Sequence, residues 1–452
     1  MTEQKPTSVR WLILALLSAF SLVSYLERVN ISIAAELMMP DLGIDKIQLG
    51  KIFSSFLLGY AIFQVPAGWL GDRFGPRLTL TAAALIWGVS TVLTGLVPGA
   101  LFTGVNSVLF FLPLIRFVLG AGEAATYPVA ARAVRSWMPP SQHALGNSLM
   151  LGGMPVASAI AAPLVSWLML RFGWRHSFYV TSAAAFLIAT VWLWFSRDRP
   201  QKHPAVNAAE LSIIEEIPSS PVAEPASPSS WKILSDRRVL LLSLSYICEG
   251  YVLFIFVFWL YIYLVDVRHF GILRGGMIAS LPWITGIFFM PLGGFLCDRF
   301  SIRHGRLAGA RIVIMAGYGL CGVLLFVAAL SSNRVLAVAV LCLSVGCLLG
   351  AEASFWTSAV HLAGKRVGAV SGVMNTTGIL GGIASTQLVP ILVKYYGWLV
   401  ALGSGAAVAV ACVLIWWRLG HAGFGNHVHA MKLKLGPGAG IATNHDKSGA
   451  QS

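Results

Sequence analysis

The stretch from Gly68 to Arg77, GWLGDRFGPR, recurs as GFLCDRFSIR from Gly294 to Arg303, at a constant offset of 226 positions. Six of the ten positions are identical, so the phrase predicts an internal duplication. The alternative is that two unrelated basic loops match by coincidence. The shared positions that we expect to act in conformational change are Gly68, Asp72, Arg73 and Arg77 in the first copy and Gly294, Asp298, Arg299 and Arg303 in the second.

The composition excludes a water-soluble protein. The chain is 57% hydrophobic and 11% charged, and its mean hydropathy is +0.76. These values indicate an integral membrane protein. Apolar runs long enough to cross about 30 Å of hydrocarbon occur repeatedly. We predict transmembrane helices at 11–36, 49–70, 78–98, 105–131, 145–169, 177–196, 239–265, 274–296, 308–330, 335–361, 367–393 and 397–418.

These spans and the repeat predict an all-α membrane protein. Each copy of the repeated phrase follows the second span of its half, so the duplication concerns topology as well as sequence. The prediction is twelve transmembrane helices in two six-helix bundles, related by an internal parallel repeat. The predicted domains are an N-terminal bundle at 1–196, a polar cytoplasmic linker at 197–238, a C-terminal bundle at 239–420 and a flexible cytoplasmic tail at 421–452.

The net charge of +14 predicts orientation rather than a nucleic-acid partner. When the loops are assigned to alternate sides, most lysines and arginines fall on one side, which the positive-inside rule makes cytoplasmic. We therefore expect both termini in the cytoplasm and the chain in the inner (plasma) membrane. The six cysteines fall in or beside predicted helices, which does not suggest a disulfide framework. No metal, cofactor or enzyme motif is found in the sequence.

In the first half, four charged residues lie deep inside predicted spans. They are Glu27, Arg28, Arg116 and Glu123. A charge near the bilayer centre costs roughly 2.5 to 3.5 kcal/mol, so such residues usually face a cavity, a partner or a ligand. Arg116 and Glu123 are seven residues apart and so share one helix face, about 10 Å from each other. They would either address one cavity or form a permanent ion pair, and Glu27 would face the cavity or pair at the outer rim.

The chemistry of these residues suits an anion and protons. A guanidinium stays charged and presents a planar fork of donors, which suits a carboxylate, so Arg28 is the leading substrate anchor and Arg116 the second. A carboxyl group can change protonation when its surroundings change, so Glu27 and Glu123 are the candidate proton carriers. We predict a small anionic substrate and protons as partners, within a lipid bilayer, and a monomer.

The signature loop at Gly68 to Arg77 resembles that of the major facilitator superfamily. Four further stretches resemble its anion:cation symporter family: Tyr25 to Ser32, Tyr60 to Gly68, Arg116 to Glu123 and Ser371 to Gly378. Members of that family include bacterial proton symporters for galactonate, hexuronates and glucarate, and animal carriers of sialic acid, glutamate or phosphate. The resemblance implies the same fold and proton coupling through the acids at 27 and 123, although the family often has Asp where this chain has Glu27.

The resemblance also implies a binding tyrosine at Tyr60, for which a structural hydrogen bond is an equal alternative. In the second half the candidate substrate ligands are Asn375, Thr376, Thr377, Ser354 and Trp356. Hydrogen bonding between helices is the alternative for Asn375, Thr376 and Thr377. Ser354 and Trp356 are chosen by their depth in the span and by partial similarity to the family.

Two acids, Glu249 and Glu352, have no counterpart in the family motifs. Either would pair with an arginine, join a second proton path or adapt the cavity to an amine-bearing solute. The predicted function is proton-coupled symport of a small organic anion, such as a sugar acid, by alternating access. The alternatives are a sodium- or proton-coupled carrier of an amino-acid-like solute and a non-transporting membrane receptor.

Overall fold

The computed structural model describes residues 5–97, 104–215, 236–363 and 367–434, and these residues contain no β-strand. Residues 216–235 of the predicted linker and 435–452 of the predicted tail lie outside the described part. The helices are α1 (Val9–Leu42), α2 (Lys46–Leu96), α3 (Val105–Glu123), α4 (Thr126–Trp137), α5 (His143–Leu151), α6 (Gly153–Phe172), α7 (Trp174–Phe195), α8 (Ala208–Ile214), α9 (Arg237–Phe258), α10 (Leu260–Asp266), α11 (Ile272–His304), α12 (Arg306–Leu330), α13 (Arg334–Ala363) and α14 (Val367–Lys434).

Twelve membrane crossings follow from the helix lengths. Among the described residues, ten helical segments are long and apolar enough to cross a membrane. Two of them, Lys46–Leu96 and Val370–Leu419, contain 51 and 50 residues, and a helix of that length would run for about 75 Å, far beyond about 30 Å of hydrocarbon. Each is interrupted by a glycine with positive φ, Gly75 or Gly397. Each therefore makes two crossings, which confirms the predicted fold class.

The two copies of the repeated phrase differ in backbone conformation. In the first copy the chain turns at Gly75, with φ of 80°, inside the phrase. The matching residue of the second copy is Ser301, where α11 remains helical, and the turn falls later at Gly305, with φ of 91°. A side chain strongly disfavours positive φ, so replacing glycine by serine moves the turn to the next available glycine.

The outer surface is apolar. Many large hydrophobic side chains are exposed, among them Trp194, Phe288 and Leu187. A soluble monomer seldom exposes apolar patches on this scale, whereas a bilayer solvates them. This surface fits a chain that crosses the membrane many times.

The two halves meet at the face opposite the signature loop. Near the start of α2, the hydroxyl of Ser54 lies 2.7 Å from that of Thr386, and Gln387 Nε2 donates to Ser54 Oγ at 2.8 Å. The ring of Phe53 stacks on Phe258 with a centroid distance of 4.5 Å. These contacts close the interface between the halves at that face.

Candidate substrate and proton site

An ion pair joins α1 to α3 in the interior of the N-terminal half. Arg28 donates from Nε and Nη2 to Oε2 of Glu123, at 3.1 and 2.8 Å. Arg28 is 5% exposed and Glu123 is fully buried. The predicted alternative, a permanent pair within α3 between Arg116 and Glu123, is not formed, because Glu123 takes its arginine from α1.

Arg116 has no hydrogen-bond partner among the described residues, although it is completely buried. Its guanidinium carbon lies 5.2 Å from the centroid of the Phe56 ring, where it gains a cation–π interaction. Three buried nitrogens without acceptors are unfavourable in a protein interior. An anionic group of a ligand beside Arg116 would satisfy them.

Aromatic rings surround the guanidinium of Arg28. Its carbon lies 4.6 Å from the centroid of Tyr25, 5.1 Å from that of Phe56 and 5.0 Å from that of Tyr60. The structure thus places Tyr60 beside the predicted anchor. Sequence reasoning missed Tyr25 as a site residue, although its position three residues before Arg28 puts both on one face of α1.

Glu27 is buried in the same region rather than at the outer rim. Both of its carboxyl oxygens lack a hydrogen-bond partner among the described residues. It is close enough to Glu123 and Arg116 to interact with their charges. The four charged residues predicted from the first half therefore form one group, with two arginines and two acids.

The predicted polar residues of the second half have mixed surroundings. Thr377 donates to the carbonyl of Ser243 at 2.9 Å, which ties α14 to α9, and Thr376 donates to its own helix at Gly372. Asn375 is half-buried. Ser354 is buried and its hydroxyl has no partner within the described residues, so it remains available to a ligand.

An acidic group occupies the second half. Oε1 of Glu352 accepts hydrogen bonds from the hydroxyl of Tyr246 and from Nε1 of Trp356, both at 2.7 Å. Glu249 is 4% exposed and interacts with the charge of Glu352. Sequence reasoning missed Tyr246, which precedes Glu249 by three residues and so shares a face of α9 with it.

The first signature loop is held by polar contacts. Asp72 forms an ion pair with Arg132 of α4. The side chain of Arg77 donates to the carbonyl of Leu193 at 2.7 Å, and its backbone N–H donates to Asp198 at 2.9 Å. The loop therefore fixes the ends of α4 and α7.

The remaining signature residues have fewer partners. The guanidinium of Arg73 lies over the ring of Trp69, at 5.5 Å from the centroid. In the second copy Asp298, Arg299 and Arg303 are exposed, and no ion pair of Asp298 is found within the described residues. Gly68 and Gly294 are half-buried.

Twelve crossings in two halves, with buried arginines and carboxyl groups grouped inside, define a polytopic membrane carrier rather than a soluble binding protein. The family model of the Major Facilitator Superfamily matches residues 16–386, and the chain belongs to that superfamily. This confirms the resemblance of the signature loop.

Curated relatives match over most of the chain. It is 35% identical to a probable sulfoacetate transporter, SauU of Cupriavidus necator, over 86% of this chain and 88% of the relative. It is 30% identical to a probable galactarate/D-glucarate transporter, GudP of Bacillus subtilis, over 91% and 92%. It is 30% identical to the hexuronate transporter of B. subtilis, over 87% and 91%. All three are named as transporters, which confirms the prediction that the chain is not an enzyme.

Solved structures share the fold. A bacterial homologue of the human lysosomal transporter Spinster, in an inward-facing and occupied conformation, gives a TM-score of 0.72 at 16% identity, covering 92% of this chain and 98% of that one. The unoccupied form of that homologue gives 0.69 over 92% and 96%. At this identity the likeness concerns the fold alone.

Proposed function

We propose that this chain is a proton-coupled symporter of a small organic anion that works by alternating access. The ion pair between Arg28 and Glu123 carries the proposal, together with the unpaired guanidinium of Arg116 beside it. Arg28, which can bind an anion, is thus hydrogen-bonded directly to Glu123, which can take up a proton.

Competition for Arg28 supplies the coupling. An incoming carboxylate or sulfonate offers anionic oxygen acceptors, as the carboxylate of Glu123 does, and can take its place on the guanidinium. Arg116 provides a second cationic contact for the same anion. The substrate then releases Glu123 from the guanidinium that donates two hydrogen bonds to it.

The released carboxylate takes up a proton. A buried carboxylate that has lost its counter-ion is strongly disfavoured, and protonation removes the charge. Anion and proton therefore enter the site together. Glu27, buried close to Glu123 and Arg116, is the second proton-carrying group. Importing an anion against an inside-negative potential costs about 2.3 kcal/mol per 100 mV for each charge, and cotransported protons offset this cost.

The contacts between the halves support alternating access. The halves are joined at the face opposite the signature loop by Ser54, Thr386 and Gln387. Such hydrogen bonds contribute about 1 kcal/mol each, so they can break and re-form as this face opens and the other closes. With the signature loop on the cytoplasmic side, the described state is closed to the outside. We also propose that both termini are cytoplasmic and that the monomer is the transporting unit.

The relatives suggest the cargo. Their names specify sulfoacetate, galactarate, glucarate and hexuronate, all organic acids. We propose that a carboxylate or sulfonate of comparable size occupies the site between Arg28 and Arg116.

Uptake into proteoliposomes tests the proposal. Radiolabelled glucarate, glucuronate and sulfoacetate are offered under an imposed pH gradient, acidic on the substrate side, in sodium-free buffer. Accumulation of at least one of them, abolished by a protonophore, supports proton-coupled symport. Accumulation that requires sodium, or the absence of accumulation of any of these organic acids, would contradict it.

A further inference from the structure

The acidic group of the second half takes no part in the proposed exchange of anion and proton at Arg28 and Glu123. Its members are Tyr246, Glu249, Glu352 and Trp356, and we call it the α9/α13 acidic group. We infer that it is a subsite for the ammonium group of an amine-bearing organic anion, whose carboxylate or sulfonate binds Arg28 and Arg116. This inference rests on the proposed function and specifies its substrate class.

Glu249 points to a ligand because it is buried without a partner. It is 4% exposed, and no described residue donates a hydrogen bond to its carboxylate. The described part of the second half offers no lysine or arginine paired with Glu249 or Glu352. A buried carboxylate needs a proton or a cation to compensate its charge.

Glu352 is held in place by neutral donors. Tyr246 and Trp356 both donate to its Oε1, at 2.7 Å each, and bring no positive charge. The second oxygen of the carboxylate takes no part in these bonds. The contacts orient the carboxylate but leave its negative charge for a ligand to balance.

Aromatic faces complete an ammonium site. The rings of Tyr246 and Trp356 lie 6.3 Å apart between centroids, and Trp356 is 38% exposed. Aromatic rings beside carboxylates attract an alkylammonium through cation–π and ionic interactions together. One proton shared between the two acids would leave one negative charge, which an ammonium group would balance.

The position of the group relative to Arg28 fits one small molecule. The ring of Tyr25 lies 4.6 Å from the guanidinium of Arg28, and Tyr25 also interacts electrostatically with Glu249 across the interface between the halves. Tyr25 therefore lies within electrostatic reach of both the arginine site and the acidic group. A substrate that carries an anion at one end and an amine at the other would contact both halves at once.

Matched pairs of solutes test the inference on the full-length protein in nanodiscs. D-glucosaminate and taurine carry an amine where D-gluconate and isethionate carry a hydroxyl, and thermal stabilisation reports binding without requiring transport. We expect the amine member of at least one pair to bind at least fivefold more tightly. Glu249→Gln and Glu352→Gln should abolish that preference, whereas Glu215→Gln, an exposed acid on the linker side, should preserve it.

The outcomes separate this inference from the proposed function. Equal or tighter binding of the hydroxyl members, no stabilisation by either pair, or a preference that persists in both glutamine variants would overturn the ammonium subsite. Proton-driven accumulation of glucarate or sulfoacetate with no amine preference would overturn it while the symport function stands. An amine preference in binding without proton-driven accumulation of any anion would support the subsite and overturn the symport function.

Discussion

Arg28 of α1 donates two hydrogen bonds to one carboxylate oxygen of Glu123 of α3, at 3.1 and 2.8 Å, while Oε1 of the same carboxyl group lacks a partner in the described part of the chain. The pair is buried, so neither member can lose the other without a substitute. A substrate anion is that substitute for Arg28, and a proton is the substitute for Glu123.

Neutralising Glu123 should separate substrate binding from proton coupling. In Glu123→Gln the side chain keeps its shape but no longer exchanges a proton, so pH-driven accumulation should fall at least tenfold. Exchange of substrate across the membrane without a gradient should continue. Uptake and counterflow in proteoliposomes measure the two activities, and undiminished pH-driven accumulation would disprove the role of Glu123.

Removing Arg28 should be more severe. Arg28→Ala leaves the Glu123 carboxylate buried without its counter-ion, a loss of about 3–5 kcal/mol of stability if the carboxylate stays charged. We expect loss of both uptake and counterflow, together with a lower thermal midpoint. The double variant Arg28→Ala/Glu123→Gln should recover stability but not transport, and a double variant no more stable than Arg28→Ala would contradict the ion-pair interpretation.

Locking the interface between the halves should stop transport. Ser54 and Thr386 have hydroxyl oxygens 2.7 Å apart on opposite halves. In a background without the six native cysteines, Ser54→Cys with Thr386→Cys should form a disulfide that holds this face closed, and uptake should fall until a reductant is added. Ser55→Cys with Thr386→Cys is the control, because Ser55 bonds within its own helix, whereas Ser54 also reaches Thr386 across the interface. Full uptake by the cross-linked protein would contradict alternating access at this interface.

Close packing of α2 on α3 should depend on Gly120. A Cβ atom on Gly120 would collide with the backbone carbonyl of Phe56, whereas a Cβ on Gly403 would meet nothing within 4 Å. Gly120→Ala should therefore destabilise the protein by about 1–3 kcal/mol, since the backbones must separate. Thermal unfolding in detergent checks this, with Gly403→Ala expected to unfold at the wild-type temperature. Equal midpoints for the two variants would contradict the close approach.

The short linker helix α8 should stabilise the start of α1. Glu210 is buried, and its carboxylate accepts hydrogen bonds from the backbone N–H groups of Val9 and Arg10 at 3.2 and 3.0 Å. Glu210→Gln weakens these charge-assisted bonds, so stability should fall by about 1–3 kcal/mol. Glu215→Gln, exposed on the same segment, should unfold as wild type does. Identical thermal midpoints would show that α8 does not hold α1.

The fold class could be predicted from local sequence patterns. Apolar runs fix the crossings because a bilayer admits only segments that satisfy their own backbone hydrogen bonds, and the repeated phrase fixes the relation between the halves. Gly75, where α2 is interrupted, lies in the loop predicted between the spans 49–70 and 78–98. The helical conformation of Ser301 was not predicted, because two similar sequences suggested turns at matching positions.

The charged residues were predicted from the sequence as a set, because charge inside an apolar run is conspicuous wherever it falls. The sequence did not predict which of these residues form ion pairs with each other. Helical spacing put Arg116 and Glu123 on one face and suggested that they pair, yet Glu123 is bound by Arg28 of another helix.

The sequence by itself determined that this chain crosses a membrane twelve times in two related halves and carries arginines and acids within its spans, because hydropathy and repetition are properties of local sequence. Only the tertiary structure decided which arginine neutralises Glu123, that Glu27 lies buried beside Glu123 and Arg116, and that Glu249 lies within electrostatic reach of Tyr25. Those relationships join residues tens to hundreds of positions apart. They depend on the rotation and depth of each packed helix, which no periodicity within a single helix specifies.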